Sequence, residues 1–399
     1  MKRLLSTLLI PVLFAAGAAC RSESAEPSAG AAIPARLPGA PPARPQLAAD
    51  PVFDEMAGFL AGIPGETPVL KALQETEGYK EFSAALEKNW ADVEAKRLLP
   101  MRGWAAAELA DAETATTTLF YPFGGPDFLT SYVIFPNATT YVLQGLEFVG
   151  RLPVFDAAAG GHVAAYTQNL LASLSDFFNK SYFITRNMDA ILTNDKVDGV
   201  LPLLAFFLKR TNNTIASIKR CELLDKGEVL ESDFPGERTK FRRPYGLKVD
   251  FFANGTDRLR HLYYFSCDFV DGVFRPDTTF YQYLEKLPFE SVFVKSASYL
   301  MHYKEFSAIR NLLLAKSRFL LQDDTGIPYR FFPEKDWTVQ LYGEYITPVK
   351  DFSGVEQADL KSAYADPARV RALPFHLGYH WGTSKDSILY IRRKINERP

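Results

Sequence analysis

The first 50 residues of this 399-residue chain decide how many residues are left to form a folded body. Lys2 and Arg3 give a positive start, residues 4–16 form an apolar run, and residues 17–19 are small. This order is typical of an export signal, which is removed after translocation and takes no part in the fold. The apolar run is too short for a membrane span of about 20 residues. Residues 1–19 are therefore predicted to be a signal peptide.

Cys20 directly follows the small residues, so the segment resembles a bacterial lipoprotein signal. In that family the cysteine is lipidated and becomes the mature N-terminus. The resemblance implies an envelope protein anchored to a membrane through Cys20 and facing the periplasm or the exterior, because two or more acyl chains anchor a protein stably. Such signals usually carry Leu, Val or Ile where Gly17 stands here. Cleavage after Ala18, with release as a soluble secreted protein, is the alternative.

Residues 20–50 are rich in Ala, Pro, Ser and Gly and contain almost no large apolar side chain. Such a segment cannot bury enough surface to offset its ordering entropy, so it is predicted to be a disordered, lipid-anchored linker. Residues 51–399 are long enough for one large domain or for two packed subdomains with a boundary near 235–245.

The composition is that of a folded globular protein, with 47% hydrophobic and 23% charged residues. Nucleic-acid binders normally carry a strong basic excess, whereas the formal net charge here is −2, so no nucleic-acid partner is expected. Cys221 and Cys267 could pair in an oxidising compartment or remain two buried thiols. The chain has no Cys/His spacing typical of a structural zinc site, so no metal is assigned.

Apolar periodicity predicts a mixed α/β or α+β fold, with helices flanking a central mixed sheet that contains antiparallel hairpins. Three- and four-residue apolar spacing predicts helices over residues 82–99, 162–179, 198–209 and 305–316. Pro100 is expected to end the first of them. Alternating segments on either side of Asn254 and Gly255 predict a hairpin, and residues 339–345 predict a further strand.

The densest group of candidate site residues lies in residues 116–150, which contain YPFGGPD and FPNATTYVLQGLE. A strand is predicted to end at Tyr121, with Gly124 and Gly125 in a tight turn. Pro126 is expected to be the first residue of a short helix, because proline needs no N–H partner there. Together with a second strand over 139–146, this is the outline of a nucleotide-binding Rossmann unit. It is also similar to the cofactor loop of class I methyltransferases.

Glu147 follows the second strand, about 22 positions after the glycines, where Rossmann units carry an acidic residue. The full G-x-G-x-x-G pattern is absent, and Asp127 near the helix start would repel a pyrophosphate. An exported protein would also meet little NAD or S-adenosylmethionine. The alternatives are a buried corner whose glycines serve packing alone, or a ligand site that includes Tyr121, Gly124, Gly125, Asp127 and Glu147.

The segment QDDTGIPYRFF places two adjacent carboxylates, Asp323 and Asp324, after a predicted strand. Such a pair could bind a hard cation or divide into general acid and general base. Neighbours on an extended chain point to opposite faces, however, so the two rarely reach one reacting atom. The simpler interpretation is a hairpin turn in which the aspartates bind nearby backbone amides and Gly326 adopts a positive φ.

His376 and His380 are four residues apart in LPFHLGYHWG, a spacing that would place both on one face of a helix. Gly378 and Gly382 argue against that helix, so an aromatic-rich loop or strand is predicted instead of a metal site. No nucleophile elbow, no phosphate-binding P-loop and no complete catalytic set is present in the sequence. Cofactors and catalytic residues therefore stay unassigned.

The blocks YPFGGPD, FPNATTYVLQGLE and QDDTGIPYRFF look like those of a group of uncharacterised bacterial envelope proteins, across most of the body. The resemblance implies no activity, only that these blocks lie close together in one domain. Two functions remain open: a non-enzymatic envelope lipoprotein that binds a partner or ligand, and an exported hydrolase or transferase. Convergence of Asp127, Glu147 and Asp324 around a pocket would favour the enzyme, with Asp127 or Glu147 as the general base or as a carboxylate that orients the ligand. Carboxylates bound to local backbone amides would favour the binding protein.

Overall fold

A computed structural model describes residues 47–156, 160–193, 196–234, 244–380, 382–383 and 385–394. The predicted signal peptide, Cys20 and most of the predicted linker lie outside these residues, as does most of the predicted boundary near 235–245. None of the helices in the described part of the chain is long and apolar enough to cross a membrane.

Eleven strands form one sheet in the described part of the body. The strands are β1 (Thr118–Tyr121), β2 (Thr140–Gly145), β3 (Asn213–Leu223), β4 (Val229–Asp233), β5 (Tyr245–Ala253), β6 (Arg260–Ser266), β7 (Ser291–Val294), β8 (Phe319–Asp323), β9 (Trp337–Gly343), β10 (Val370–Arg371) and β11 (Ser387–Arg393). Their order across the sheet is β10-β9-β11-β8-β7-β1-β2-β6-β5-β3-β4. The five central strands, from β8 to β6, are parallel, and antiparallel pairs extend the sheet on both sides. The predicted mixed α/β fold is confirmed.

Helices cover both faces of this sheet. They are α1 (Pro51–Leu60), α2 (Pro68–Gln74), α3 (Glu77–Val93), α4 (Leu99–Glu108), α5 (Ala110–Ala115), α6 (Phe128–Ile134), α7 (Gly160–Lys180), α8 (Thr185–Ile191), α9 (Leu201–Arg210), α10 (Thr279–Lys286), α11 (Ser307–Lys316) and α12 (Ala358–Tyr364). Alternate residues of β1 pack into two different hydrophobic cores, because successive side chains of a strand point to opposite faces of the sheet. Leu119 and Tyr121 pack with residues of α1–α9, whereas Phe120 packs with residues of α10–α12.

The connections between the parallel strands create a switch point between β1 and β7. The chain passes from β1 to β2 through α6 on one face and from β7 to β8 through α11 on the other. In chain order the parallel strands are β1, β2, β6, β7, β8 and β9, which gives the doubly wound arrangement 3-2-1-4-5-6 with antiparallel β11 inserted before the last. Doubly wound sheets bind ligands outside the carboxyl ends of their strands at such a point.

Three of the four predicted helices correspond to α7, α9 and α11, and the hairpin at Asn254 and Gly255 joins β5 to β6 as predicted. The prediction that Pro100 ends a helix is wrong. A π-helical turn over Glu94–Leu98 joins α3 to α4, and Pro100 lies in the first turn of α4. Leu99 N donates to Glu94 O, five residues back, and this wider turn carries the helix past a residue that normally interrupts it.

Candidate functional site

A crevice of about 470 Å³ lies at the carboxyl ends of the parallel strands, on both sides of the switch point. Its lining comes from the segments after β1, β2, β6 and β7, and from three segments outside the sheet. Those three contribute the residues Tyr182, Phe183, Ile184, Arg186, Val349, Asp351, Phe352 and Tyr379. The crevice therefore occupies the position at which this class of sheet binds small molecules.

The floor of the crevice is made of glycines from the ends of β1 and β2. Gly125 has a φ of 55°, and its N–H donates to Gln144 O at 3.1 Å. A Cβ on Gly145 would lie 2.8 Å from the Cα of Gly125 and 2.6 Å from Oε2 of Glu147. A Cβ on Gly124 would lie 2.8 Å from the ring of Tyr121. The turns after β1 and β2 approach so closely that a side chain at Gly145 would displace the backbone of Gly125.

Two carboxylates and two phenyl rings line the side of the crevice formed by β2 and β6. Glu147 follows β2, and the hydroxyl of Tyr264 lies 2.9 Å from its carbonyl oxygen and 3.3 Å from its Oε2. Asp268 follows β6, and its Oδ1 accepts from Val270 N at 3.0 Å. The rings of Phe123 and Phe269 meet edge to face, with their centroids 5.1 Å apart. This side therefore offers hydrogen-bond acceptors beside flat apolar surfaces.

Aromatic side chains form the opposite wall. Phe352 stacks on Tyr379 at 5.3 Å between centroids, and Tyr182 meets Tyr379 edge to face at 4.9 Å. The hydroxyl of Tyr379 donates to Ser296 O at 2.8 Å and accepts from Ser298 N at 3.2 Å. Tyr379 therefore fixes the loop after β7 against this wall.

The loop after β7 carries backbone strain at the edge of the crevice. Ser296, Ser298 and Tyr299 adopt left-handed φ values of 52°, 48° and 55°, which non-glycine residues rarely adopt. Asp323 Oδ2 accepts from Ser296 N at 2.8 Å, and the hydroxyl of Thr325 accepts from Ala297 N at 2.7 Å. Such strain persists where the surrounding contacts impose it, and it is concentrated at functional sites.

The structure divides the candidate residues of the first cluster into two layers. Gly124, Gly125 and Glu147 line the crevice. Tyr121 and Asp127 are buried and absent from that lining. Asp127 Oδ2 lies 2.7 Å from Lys295 Nζ and 3.0 Å from the Tyr121 hydroxyl. Burial raises the pKa of Tyr121 well above its usual range, and the neighbouring Asp127 carboxylate adds to the effect.

The contacts of Asp127 show that α6 starts two residues later than predicted. Its Oδ1 accepts from Thr130 N at 3.0 Å, which makes it the N-cap, and the helix begins at Phe128. The prediction that Pro126 is the first helical residue is therefore wrong. An aspartate at this position satisfies a backbone N–H that would otherwise be unpaired, and this outweighs the preference of proline for the first turn.

Asp323 and Asp324 are buried and do not line the crevice. Burial and the adjacent Asp324 carboxylate raise the pKa of Asp323 to about 7. Asp324 lies 2.5 Å from the Tyr299 hydroxyl and 3.1 Å from Ser387 Oγ, and burial raises its pKa to about 6. The two carboxylates therefore have separate partners, in agreement with the expected alternation along a strand.

Two expectations about the turn after Asp324 are wrong. The strand β8 lies between β7 and β11, so the turn does not form a hairpin with β9. Gly326 has no positive φ. A Cβ at Gly326 would instead lie 2.5 Å from Oε1 of Gln322, which accepts from Ile327 N, so a side chain there would displace the side chain of Gln322.

The tail histidines and the cysteines form no metal site in the described part of the chain. His376 Nδ1 lies 3.1 Å from Asp386 Oδ2, and no helix includes His376 or His380, as predicted. Cys221 and Cys267 are not disulfide-bonded. Burial raises the pKa of the Cys221 thiol to about 12, which makes it an unreactive group.

Sequence reasoning missed Asp268 and the aromatic wall. Asp268 lies two residues after the end of β6, just as Glu147 lies two residues after the end of β2, so its position carried a usable signal. Tyr182 and Tyr379 lie in loops and Phe352 lies in a short 3₁₀ helix, none with periodicity, and only the fold brings them together. Comparisons with protein-family models, curated proteins and solved structures found no match to this chain.

Proposed function

We propose that the body binds an unphosphorylated nucleoside in the crevice. The observation that carries this proposal is the position of Glu147, at the end of β2 beside the Gly125 and Gly145 floor. Doubly wound sheets use an acidic residue there to accept hydrogen bonds from ribose hydroxyls. The close approach of the two glycines leaves backbone, rather than side chain, against the ligand.

The neighbouring groups suit a purine base. A carboxylate such as that of Asp268 accepts hydrogen bonds from an exocyclic amine. Phe123 and Phe269 offer ring surfaces against which a flat base can pack. Ribose at Glu147 and base at Asp268 would therefore occupy adjacent parts of one crevice.

The charges in the crevice disfavour phosphate groups. Glu147, Asp268 and Asp351 contribute carboxylates, and Arg186 is the cationic side chain in the lining. The N-terminus of α6, which in a dinucleotide site would face a pyrophosphate, is capped by the carboxylate of Asp127. A neutral or cationic nucleoside is favoured over NAD or a nucleotide.

A binding protein is the lead candidate because the other carboxylates have internal partners. Asp127 is paired with Lys295, and Asp323 and Asp324 hold backbone and hydroxyl groups of the surrounding loops. Methyl transfer from S-adenosylmethionine, a cationic nucleoside, is the second candidate. The similarity of the YPFGGPD turn to the cofactor loop of class I methyltransferases favours it.

Titration calorimetry with adenosine, S-adenosylhomocysteine, NAD and ATP tests the proposal. Adenosine or S-adenosylhomocysteine is expected to bind, and NAD and ATP to bind at least tenfold more weakly. Glu147→Gln should weaken binding about 10- to 100-fold, because hydrogen bonds to charged groups contribute about 1.5–3 kcal/mol. Glu290→Gln, at an exposed residue outside the crevice, is the matched control and should leave binding unchanged.

Failure of both adenosine and S-adenosylhomocysteine to bind would contradict the proposal, as would tight NAD binding that ignores Glu147→Gln. Release of S-adenosylhomocysteine from S-adenosylmethionine in the presence of an envelope extract would favour the transferase. Binding without turnover would favour the binding protein.

We further propose that Cys20 is lipidated and that the protein is held on an envelope membrane, with soluble secretion as the alternative. The charge, apolar run and small residues before Cys20 support this placement. Cells fed a fatty-acid analogue should label the wild-type protein, and Cys20→Ser should abolish the label. Cys221→Ser is the matched control and should keep it. Equal labelling of the Cys20→Ser protein, or recovery of cytosolic protein that retains Met1, would contradict this placement.

A further inference from the structure

A second cavity, of about 510 Å³, is an apolar groove that shares no lining residue with the crevice. Its walls are α1, the start of α2, a loop after β2 and the residue that follows β4. The apolar lining residues are Pro51, Val52, Phe53, Met56, Val69, Leu70, Leu152, Pro153, Val154, Phe155 and Phe234. Its volume lies within the range of ligand pockets, about 300–1,000 Å³.

The rim of the groove exposes apolar side chains to solvent. Val154 is 94% exposed and Val52 is 71% exposed, the two highest values among the large apolar side chains of the described residues. Val154 lies in the loop LPVF, which is apolar throughout although loops at a surface are usually polar. Apolar residues that cluster around a cavity mark a site of interaction.

Three polar residues, Glu55, Thr67 and Arg151, are among the fourteen that line the groove. Glu55 Oε1 accepts from Glu66 N at 2.6 Å and also from Thr67 N. The backbone N–H of Arg151 donates to Asp198 O at 2.8 Å. The other eleven lining residues are apolar, which suits a hydrocarbon chain better than a peptide, whose amides need partners.

The groove is close in the chain to the point where the predicted anchor segment joins the body. Asp50 caps α1, the first wall of the groove, by accepting from Val52 N and Phe53 N at 3.0 Å. The described residues begin at Leu47, 27 positions after Cys20 (47 − 20). Even fully extended, 27 residues span at most about 90–100 Å. An anchored Cys20 would thus keep the groove within about 100 Å of a bilayer surface.

We infer that this groove takes one acyl chain of a membrane phospholipid, with Val52 and Val154 in contact with the lipid. The inference uses the proposed membrane placement but not the nucleoside crevice. Each methylene transferred from water into an apolar groove adds to the binding free energy, so one chain is enough for measurable affinity. A phospholipid is favoured over a second copy of the chain because the anchor would keep bilayer lipid within reach of the groove.

The test uses the mature chain, residues 20–399, with Cys20→Ser, so that no covalent anchor contributes. The first probe is the fluorescent fatty acid cis-parinaric acid, and the second is flotation with phosphatidylethanolamine–phosphatidylglycerol vesicles. Saturable fatty-acid binding and vesicle flotation are expected. Val154→Asp should weaken fatty-acid binding at least tenfold and reduce flotation. Val273→Asp, at a 56% exposed valine outside the groove, is the control and should change neither.

The other outcomes overturn the inference in distinct ways. Absence of fatty-acid binding would show that the groove takes no acyl chain. Fatty-acid binding without flotation would exclude bilayer phospholipid as its source. An equal effect of Val273→Asp would indicate general surface adhesion, and dimerisation that is lost in Val154→Asp would assign the groove to a second copy. Adenosine binding should be the same in all these variants, so failure of the crevice proposal is detected separately.

Discussion

Replacement of Lys295 with methionine is expected to lower the free energy of unfolding by about 3–5 kcal/mol. The Lys295 and Asp127 side chains are 1% and 2% exposed, and their charged atoms are 2.7 Å apart. Removal of the ammonium leaves the Asp127 carboxylate without a compensating charge in a region that water does not reach. Lys295 also donates to the carbonyl oxygen of Ser181, which would lose its partner.

Urea unfolding of the wild type and of three variants measures this effect. The double variant Lys295→Met/Asp127→Asn should recover a large part of the loss, because it has no uncompensated charge and still carries a capping oxygen for α6. The control is Lys71→Met, in an ion pair with Glu66 whose side chains are 57% and 88% exposed. Exposed pairs contribute about 0–1 kcal/mol, so Lys71→Met should have little effect. A loss below 1 kcal/mol for Lys295→Met would contradict the prediction, because it would show that the buried Asp127 carboxylate does not depend on its counter-charge.

The ion pair between Asp127 and Lys295 also joins three segments around the crevice. Asp127 follows the glycine turn after β1, Lys295 follows β7, and Ser181 follows α7. The residues next to the last two, Ser296 and Tyr182, line the crevice. One buried network therefore fixes three segments around the site without contributing to its lining. Burial lowers the pKa of Lys295, while the nearby Asp127 favours the charged form.

Asp127 illustrates how far the sequence could predict the site. The pattern placed it near the start of a short helix after a glycine turn, and the structure confirms that neighbourhood. Its role could not be predicted, because its partner Lys295 is 168 positions later (295 − 127), just after a strand that no local pattern connects to it. Local periodicity reports which side of an element is buried, but it carries no information about which distant charge lies opposite.

The glycines show the same limit. The tight turn at Gly124 and Gly125 could be predicted from the residues themselves, since glycine tolerates a positive φ. The requirement for glycine at Gly145 arises because β2 lies beside β1 and brings its end within 2.8 Å of Gly125, measured from an added Cβ. Strand order, which sets this approach, depends on contacts between segments far apart in the chain. The aromatic wall could not be predicted either, because the segments that form it are also far apart in the chain.

Unfolding measurements are also expected to show a stabilisation by acid that depends on Asp323. Burial and the adjacent Asp324 carboxylate raise the pKa of Asp323 to about 7 in the folded protein, whereas an unfolded aspartate titrates near about 3.9. Between these values the folded state holds a proton that the unfolded state has released. The free energy of unfolding therefore falls as the pH rises from about 4 to about 7 and changes no further above that.

Asp323→Asn removes this titration and keeps the shape of the side chain. The free energy of unfolding of the wild type minus that of the variant should increase as the pH is lowered from 7 to 5, by up to about 1.4 kcal/mol per unit. Other groups titrate in this range, among them His302, whose pKa burial lowers to about 4, an effect of opposite sign. The contribution of His302, which is present in both proteins, cancels in the difference. Asp324, whose pKa burial raises to about 6, lies beside Asp323, so the difference measures the titration of the two adjacent carboxyls together.

Urea unfolding at pH 5, 6, 7 and 8 provides the difference. Asp277→Asn is the matched control, because the hydrogen bond from Arg275 lowers the pKa of this exposed carboxyl, and it titrates below the measured range. Its difference from the wild type should be constant. A constant difference for Asp323→Asn as well would mean that Asp323 is ionised throughout. In that case Asp323 would accept the hydrogen bond from Ser296 N as a charged carboxylate at every pH measured. Binding in the crevice would then be independent of this group between pH 5 and 8.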